Sequence, residues 1–279
     1  MESQEHTPAS SIYTASHEAE QTPCKTTPHR PAGVWSYLNE SVRPSGFAEF
    51  QLILLTFCVG LQDAISFPDF HCFASNQTGN TVFLILAIVL PEMNGEMFIT
   101  ANIGVSLGLF LGSAWLTGQI GHLVGPRRRL WLIFCNLVQT ALVFGAAALQ
   151  YTGKHKVVEL TGARTLISIG LLASAAGSQV VLSRALEMTE ISTAMATAAW
   201  LDLVIDPKLC ALNNRPRNRR VAFLASLVLG TMAGAFVYKT IGSPAAVAIS
   251  GAGKLLVTSM FFFNGADVKR AEEAEKEVV

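Results

Sequence analysis

The chain has 279 residues, of which 51% are hydrophobic and 14% charged, and its formal net charge is zero. Soluble globular chains carry about 25% charged residues, and a neutral chain projects no global field that would gather nucleic acid or acidic partners. Its five cysteines (Cys24, Cys58, Cys72, Cys135, Cys210) are scattered without a CxxC pair. This argues against a disulfide framework and against a metal site. HExxH, GxSxG and the phosphate-binding GxxxxGK[ST] are absent as well, so neither an enzyme nor a cofactor is expected.

In chain order, residues 1–46 are rich in Ser, Thr, Pro, Glu and His. That composition buries too little apolar surface to fold and reads as a disordered cytoplasmic tail. No basic stretch followed by an apolar one occurs early enough for a cleaved leader, so the first apolar helix is expected to act as an uncleaved insertion signal. Eight hydrophobic segments follow, at about 47–67, 73–90, 98–121, 130–150, 164–186, 191–205, 220–240 and 244–263. Met97 to Pro126 and Leu130 to Gly153 contain no Lys, Arg, Asp or Glu. Each exceeds the ~20 residues that carry a helix across a ~30 Å hydrocarbon core. In lipid such segments must be helical, because an open strand leaves backbone groups unpaired. The expected fold is an all-α polytopic transmembrane bundle over 47–266, with a charged tail at 267–279.

Segment six is short and ends in Asp202, Asp206 and Pro207, and basic residues cluster at Arg127–Arg129 and at Arg215, Arg217, Arg219 and Arg220. If segment six dips in and returns, the two clusters share one face, as the positive-inside rule favours. If segment two does the same, Arg43 and Lys269–Arg270 join them. The layout is then six full spans and two half-length segments, with both termini cytoplasmic. The halves, 47–150 and 164–265, each hold three spans and are therefore inverted relative to one another. Gly60-Leu61-Gln62 followed by Asn76-Gln77-Thr78 is echoed by Gly177-Ser178-Gln179 followed by Ser192-Thr193. Matching polar interruptions in two inverted halves point to a transporter's binding site. Eight plain spans are the alternative.

Gly104, Gly108 and Gly112 form a small-residue stripe, and Gly230 and Gly234 a second pair. Such spacing lets helices approach closely in lipid. It is expected to serve packing inside the bundle, with a homo-oligomer face as the alternative. Ionisable groups inside apolar runs default to functional candidates. Lys254 lies near the middle of Pro244–Phe263, with Asp63, Glu187, Asp202 or a water-filled cavity as its expected counterpart. Asp63 lies near the end of the first helix, either within the apolar run or at the interface. Asn76, Thr78 and Asn80 open segment two, and Gln179 and Thr193 are their echo in the second half. Together these residues make up the expected substrate or ion pathway. The alternative is capping and interhelical hydrogen bonding. The sequons at Asn39 and Asn76 are expected to be unused. Membrane lipids, touched by the basic loops, are the expected surroundings; the plasma membrane is slightly favoured, and no substrate is named by the residues.

The string GLQDAISFPDFHCFASNQTGN (Gly60–Asn80) resembles the signature of the YoaK-like family of uncharacterised transmembrane proteins (domain of unknown function 1275). The stretch Glu190–Arg220, with DLVIDPKL, looks like the corresponding region of fungal members. Gly60, Asp63, Asn76, Thr78, Gly79 and Asn80 match that pattern. Ser192 and Ala194 stand where Pro and Thr-like residues are expected, and Val180 where bacterial members often carry Asn. The resemblance implies a multi-pass membrane protein without an assigned activity. A small-solute secondary transporter is the first expectation, and a non-transporting scaffold or lipid-interacting accessory protein the second.

Overall fold

The computed structural model describes residues 33–153, 162–211 and 213–267. Most of the N-terminal tail, and Lys269–Arg270, lie outside them. Nine α-helices occur among the described residues, and the extended pairings there are isolated bridges. They are α1 (Val34–Asn39), α2 (Gly46–Phe70), α3 (Gln77–Val89), α4 (Thr100–Val124), α5 (Arg129–Gly153), α6 (Ala163–Ala185), α7 (Ala196–Val204), α8 (Arg215–Thr240) and α9 (Ser243–Met260). Six of them, α2, α4, α5, α6, α8 and α9 with its 3-10 extension to Phe263, are long and apolar enough to cross a membrane. Segments two and six become α3 and α7, both too short to span.

Local chemistry sets the helix ends. Ser45 caps α2 through its Oγ and the Ala48 N–H, and His71 closes it in the left-handed region at φ 51°. Asn214 caps α8, and prolines occupy the first turns of α8 and α9, where a missing N–H costs nothing.

One end of the bundle gathers ion pairs that fix the helix directions. Arg219 at the start of α8 bonds Glu49 at the start of α2 at 3.0 Å and Glu190 beyond α6 at 3.3 Å. Arg127 between α4 and α5 pairs with Glu187 just past α6 (3.4 Å) and with Asp267 beyond α9 (3.8 Å). Therefore α2, α5 and α8 start at this end, and α4, α6 and α9 finish there. The first half runs away, back and away, and the second runs back, away and back. The halves are inverted, and both basic clusters sit at one end.

The packing obeys the same symmetry. α2 packs on α8 as α6 packs on α4; α5 packs on α6 as α9 packs on α2; α3 lies on α4 as α7 lies on α8. α5 meets α9, and α2 meets α6. Exchanging the halves leaves this set unchanged. The four helices α2, α5, α6 and α9, two from each half, form the centre, while α4 and α8 flank it.

Two expectations need correction. The tail does not extend to residue 46: Val34–Asn39 is helical and Ser41 and Val42 pair with Arg128 and Ala266. The reason is Arg129, whose fully buried guanidinium lies 3.6 Å from the Tyr37 ring centroid. It also donates to the Tyr37 carbonyl at 3.0 Å and pairs with Glu40 at 3.4 Å, so this segment supplies the partners its burial requires. Second, Gly104, Gly108 and Gly112 do not pack inside the bundle: a Cβ on any of them would meet open space. α4 approaches α6 through Val105, Leu109 and Phe110, and the small residues at that crossing are Gly170 and Gly177 of α6. Gly230 and Gly234 of α8 do sit at a close crossing, against Phe57, Leu61 and Ala64 of α2.

Candidate functional site

The four central helices carry polar side chains where a soluble bundle would place leucines. Buried polar residues include Gln62 and Ser66 on α2, Asn136, Gln139 and Thr140 on α5, Ser178, Gln179 and Ser183 on α6, and Ser250, Lys254 and Thr258 on α9. The hydroxyls mostly bond back onto their own helices: Ser66 to the Gln62 carbonyl, Thr140 to that of Asn136 and Thr258 to that of Lys254, each at 2.8 Å. The glutamine amides instead reach across, while Asn136 bonds back to the Leu132 carbonyl. Gln62 Nε2 donates to Ser250 Oγ at 2.7 Å, and Ser250 Oγ donates to the Cys58 carbonyl at 2.8 Å. Gln139 Nε2 donates to Ser178 Oγ at 3.1 Å.

Lys254 stands at the middle of this layer. Its side chain is 1% exposed, and about 14 to 17 Å of helix separates it from either end of its span. Its Nζ donates to Gln139 Oε1 at 3.3 Å and to Gln179 Oε1. The expected carboxylate counterparts are not there: among the described residues no Asp or Glu forms an ion pair with Lys254, while Glu187 and Asp202 pair with Arg127 and Arg220. An ammonium enclosed by neutral amide oxygens is solvated by dipoles from α5 and α6, not neutralised. Such a group retains its demand for an anion or for water.

A second polar cluster lies where α2 gives way to α3. Asn80 is fully buried and closes the break with both ends of its amide: its Oδ1 accepts from Phe73 N–H at 2.9 Å, and its Nδ2 donates to the Phe73 carbonyl at 2.7 Å. Ser106 of α4 donates to the same carbonyl at 2.6 Å, and Asn76 caps α3. Ser75 Oγ donates to Asp63 Oδ2 at 2.6 Å, while Asp63 Oδ1 is buried without a hydrogen-bond partner among the described residues. Thr78 is exposed and joins neither cluster. Thr193 opens the matching break before α7; it is fully buried at φ 58°, and its Oγ1 also lacks a partner there.

Of the residues expected to form one pathway, the fold joins Gln179 to Lys254 and leaves Asp63, Asn76 and Asn80 at the α2–α3 break. Gln139, Gln62 and Ser250 complete the central layer and were missed by sequence reasoning. Gln139 carried a signal, as an amide three residues after Asn136 in a charge-free apolar run. Among the described residues no cluster of His, Cys, Asp and Glu could hold a metal ion.

The model of a protein family described as "Protein of unknown function (DUF1275)" matches residues 51–260, and the chain belongs to that family. The matched stretch runs from α2 into the last turn of α9, so it takes in both polar clusters. No curated protein and no solved structure matches the chain.

Proposed function

We propose that this DUF1275 family member is a secondary transporter for a small polar solute, working by exchange between two states of its inverted halves and catalysing no chemical step. The carrying observation is Lys254, held by the amides of Gln139 and Gln179 in a polar layer to which each half contributes two helices. Inverted-repeat transporters place their sites at the bilayer midplane between the halves. An ammonium has three donors, and two go to Gln139 and Gln179, which leaves one for an anionic or acceptor-bearing solute. Proton coupling would fall to Lys254 or to Asp63 with its unpartnered oxygen. The basic end would face the cytoplasm, by the positive-inside rule, and the plasma membrane is the favoured location.

The test does not need the substrate in advance. Lys254→Cys in a background free of other cysteines is treated with a small cationic thiol reagent, from either side of sealed vesicles. Transport requires labelling of this thiol from both sides, and a current in the parent chain driven by a solute from a panel including carboxylates. An introduced thiol sealed from both sides, with no solute-dependent current from the parent chain on a supported membrane, overturns the proposal. The self-satisfied hydrogen bonds around Asn80 favour the second reading, a non-transporting scaffold, and that outcome would establish it.

A further inference from the structure

A cavity of about 330 Å³ lies at the basic end of the bundle, between the last turns of α4 and α6 and the first turns of α5. Its floor is apolar: Val181, Leu182, the Trp131 ring, and the bare backbone of α4 at Gly118 and Gly121. A Cβ on Gly118 would meet nothing within 4 Å, so α4 leaves this slot open. Its rim is polar, formed by Arg127, Arg184, His122 and Glu187.

The formal charges at the rim balance once Asp267 is counted, but the guanidinium donors are not all used. Arg127 is 5% exposed and shares its Nη1 between Glu187 and Asp267, while its Nε is buried without a hydrogen-bond partner among the described residues. Arg184 forms no ion pair among those residues, and the one hydrogen-bond partner of its guanidinium there is the Met195 sulfur at 3.5 Å. A buried N–H without a partner is costly, and a bidentate guanidinium suits phosphate oxygens. The position also matters. The rim lies where spans α4 and α6 end, at headgroup level, and Trp131 sits in the belt where aromatic rings favour the interface.

We infer that this cavity binds the phosphate-bearing headgroup of an anionic phospholipid, with Arg184, the Arg127 Nε–H and His122 on the phosphate and the upper acyl chain along Gly118, Val181 and Leu182. Soluble phosphate shares the rim chemistry but has no use for the apolar floor, and that favours the lipid. The inference is independent of transport.

The test uses the full chain in nanodiscs with Trp131 as its sole tryptophan, after Trp35→Phe, Trp115→Phe and Trp200→Phe. Acyl-brominated phosphatidylglycerol and phosphatidylcholine are titrated as quenchers. The expected result is a preference of at least about fivefold for phosphatidylglycerol, the scale of one basic residue near a membrane surface. Arg184→Gln should remove most of that preference. Gly118→Leu, whose side chain enters open space and gains helix propensity, should abolish the quenching while the protein stays folded. Equal quenching by the two lipids, or preference untouched by both substitutions, overturns the inference. Inorganic phosphate that displaces the lipid at equal concentration also overturns it, because the ligand is then a soluble anion.

Discussion

Gly60 and Gly177 occupy the same place in two different helix crossings. A Cβ on Gly60 would run into the Leu227 carbonyl at 2.6 Å, and a Cβ on Gly177 would run into the Phe110 carbonyl. Residues 60 and 177 are 117 apart, and so are 110 and 227. Two helix pairs, α2 with α8 and α6 with α4, therefore meet by one solution repeated in inverted halves. In lipid, where apolar contact supplies little drive, backbone proximity of this kind holds helices together.

Filling these contacts should therefore be costly where filling the outward stripe is not. Gly60→Ala and Gly177→Ala each push a methyl into backbone, which cannot swing aside, and overpacking of this kind costs about 1–3 kcal/mol. Gly108→Ala meets open space and should be neutral, or more stable by up to about 1 kcal/mol through helix propensity. Thermal unfolding of the detergent-solubilised variants checks this. Equal melting temperatures for Gly177→Ala and Gly108→Ala would refute it.

Much of this architecture was legible in the sequence. The charge-free runs gave the spans, and the two Arg clusters gave the shared end, because basic residues at span ends obey a simple electrostatic rule. The echo of Gly60 through Gln62 in Gly177 through Gln179 marked the repeat, since a crossing glycine and its neighbouring amide recur together. The direction a helix faces was not legible. Gly104, Gly108 and Gly112 have ideal packing spacing, yet spacing does not say which neighbour supplies the small residues, and here α6 does. Nor could residues on separate helices be joined: Lys254 stood out in its own segment, whereas its partner Gln139 lies 115 positions away and only packing of α5 on α9 brings them together.

Removing Lys254 separates function from folding. Lys254→Met keeps the bulk of the side chain but orphans the amide oxygens of Gln139 and Gln179, and a buried acceptor left without a partner costs about 1–3 kcal/mol. The expected outcome is a lower melting temperature with normal membrane insertion, and complete loss of solute-dependent current. Current unchanged in Lys254→Met would eliminate Lys254 from the pathway.

Arg129 should be the most stability-critical charge at the basic end. Its fully buried guanidinium binds Glu40, the Tyr37 ring and carbonyl, and the Asn264 carbonyl, tying α1, α5 and the end of α9 together. Arg129→Ala takes the donor from the buried Asn264 carbonyl and from the part-buried Tyr37 carbonyl and Glu40 carboxylate, and a buried acceptor left without a partner costs about 1–3 kcal/mol. Glu40→Gln should cost less, because Tyr37 and Asn264 remain. Proteolysis in the 33–42 segment measures the difference, and equal resistance of Arg129→Ala and the parent chain would contradict it.

The loop between α7 and α8 should loosen in acid. The Asp206 carboxylate accepts from the Lys208 N–H at 2.8 Å and from Asn214 at 3.0 Å, with Arg220 and Arg217 nearby, and these hold it below the ordinary carboxylate range. A group depressed in the folded state stabilises above its unfolded value. That support starts to fade below about pH 3.9 and is gone below the folded value. Hydrogen exchange over residues 206–219 should rise across that window in the parent chain and already be raised at neutral pH in Asp206→Asn. A pH-independent profile in the parent would show that Asp206 does not hold the loop.

Cys210 offers the simplest view of orientation. It is exposed, whereas Cys58, Cys72 and Cys135 are buried, and it lies in the Asp206–Asn214 loop at the end that carries Arg127, Arg129 and Arg219. The opposite end carries the loop at Pro91–Gly95, where a Cβ on Gly95 meets open space. With Cys24 replaced, an impermeant maleimide should therefore modify Cys210 only from the cytoplasmic side, and an added Gly95→Cys only from the other. Labelling of both from one side would require α7 to cross, giving the second half four passes against the first half's three. The inversion would then fail, and with it the case for a solute beside Lys254.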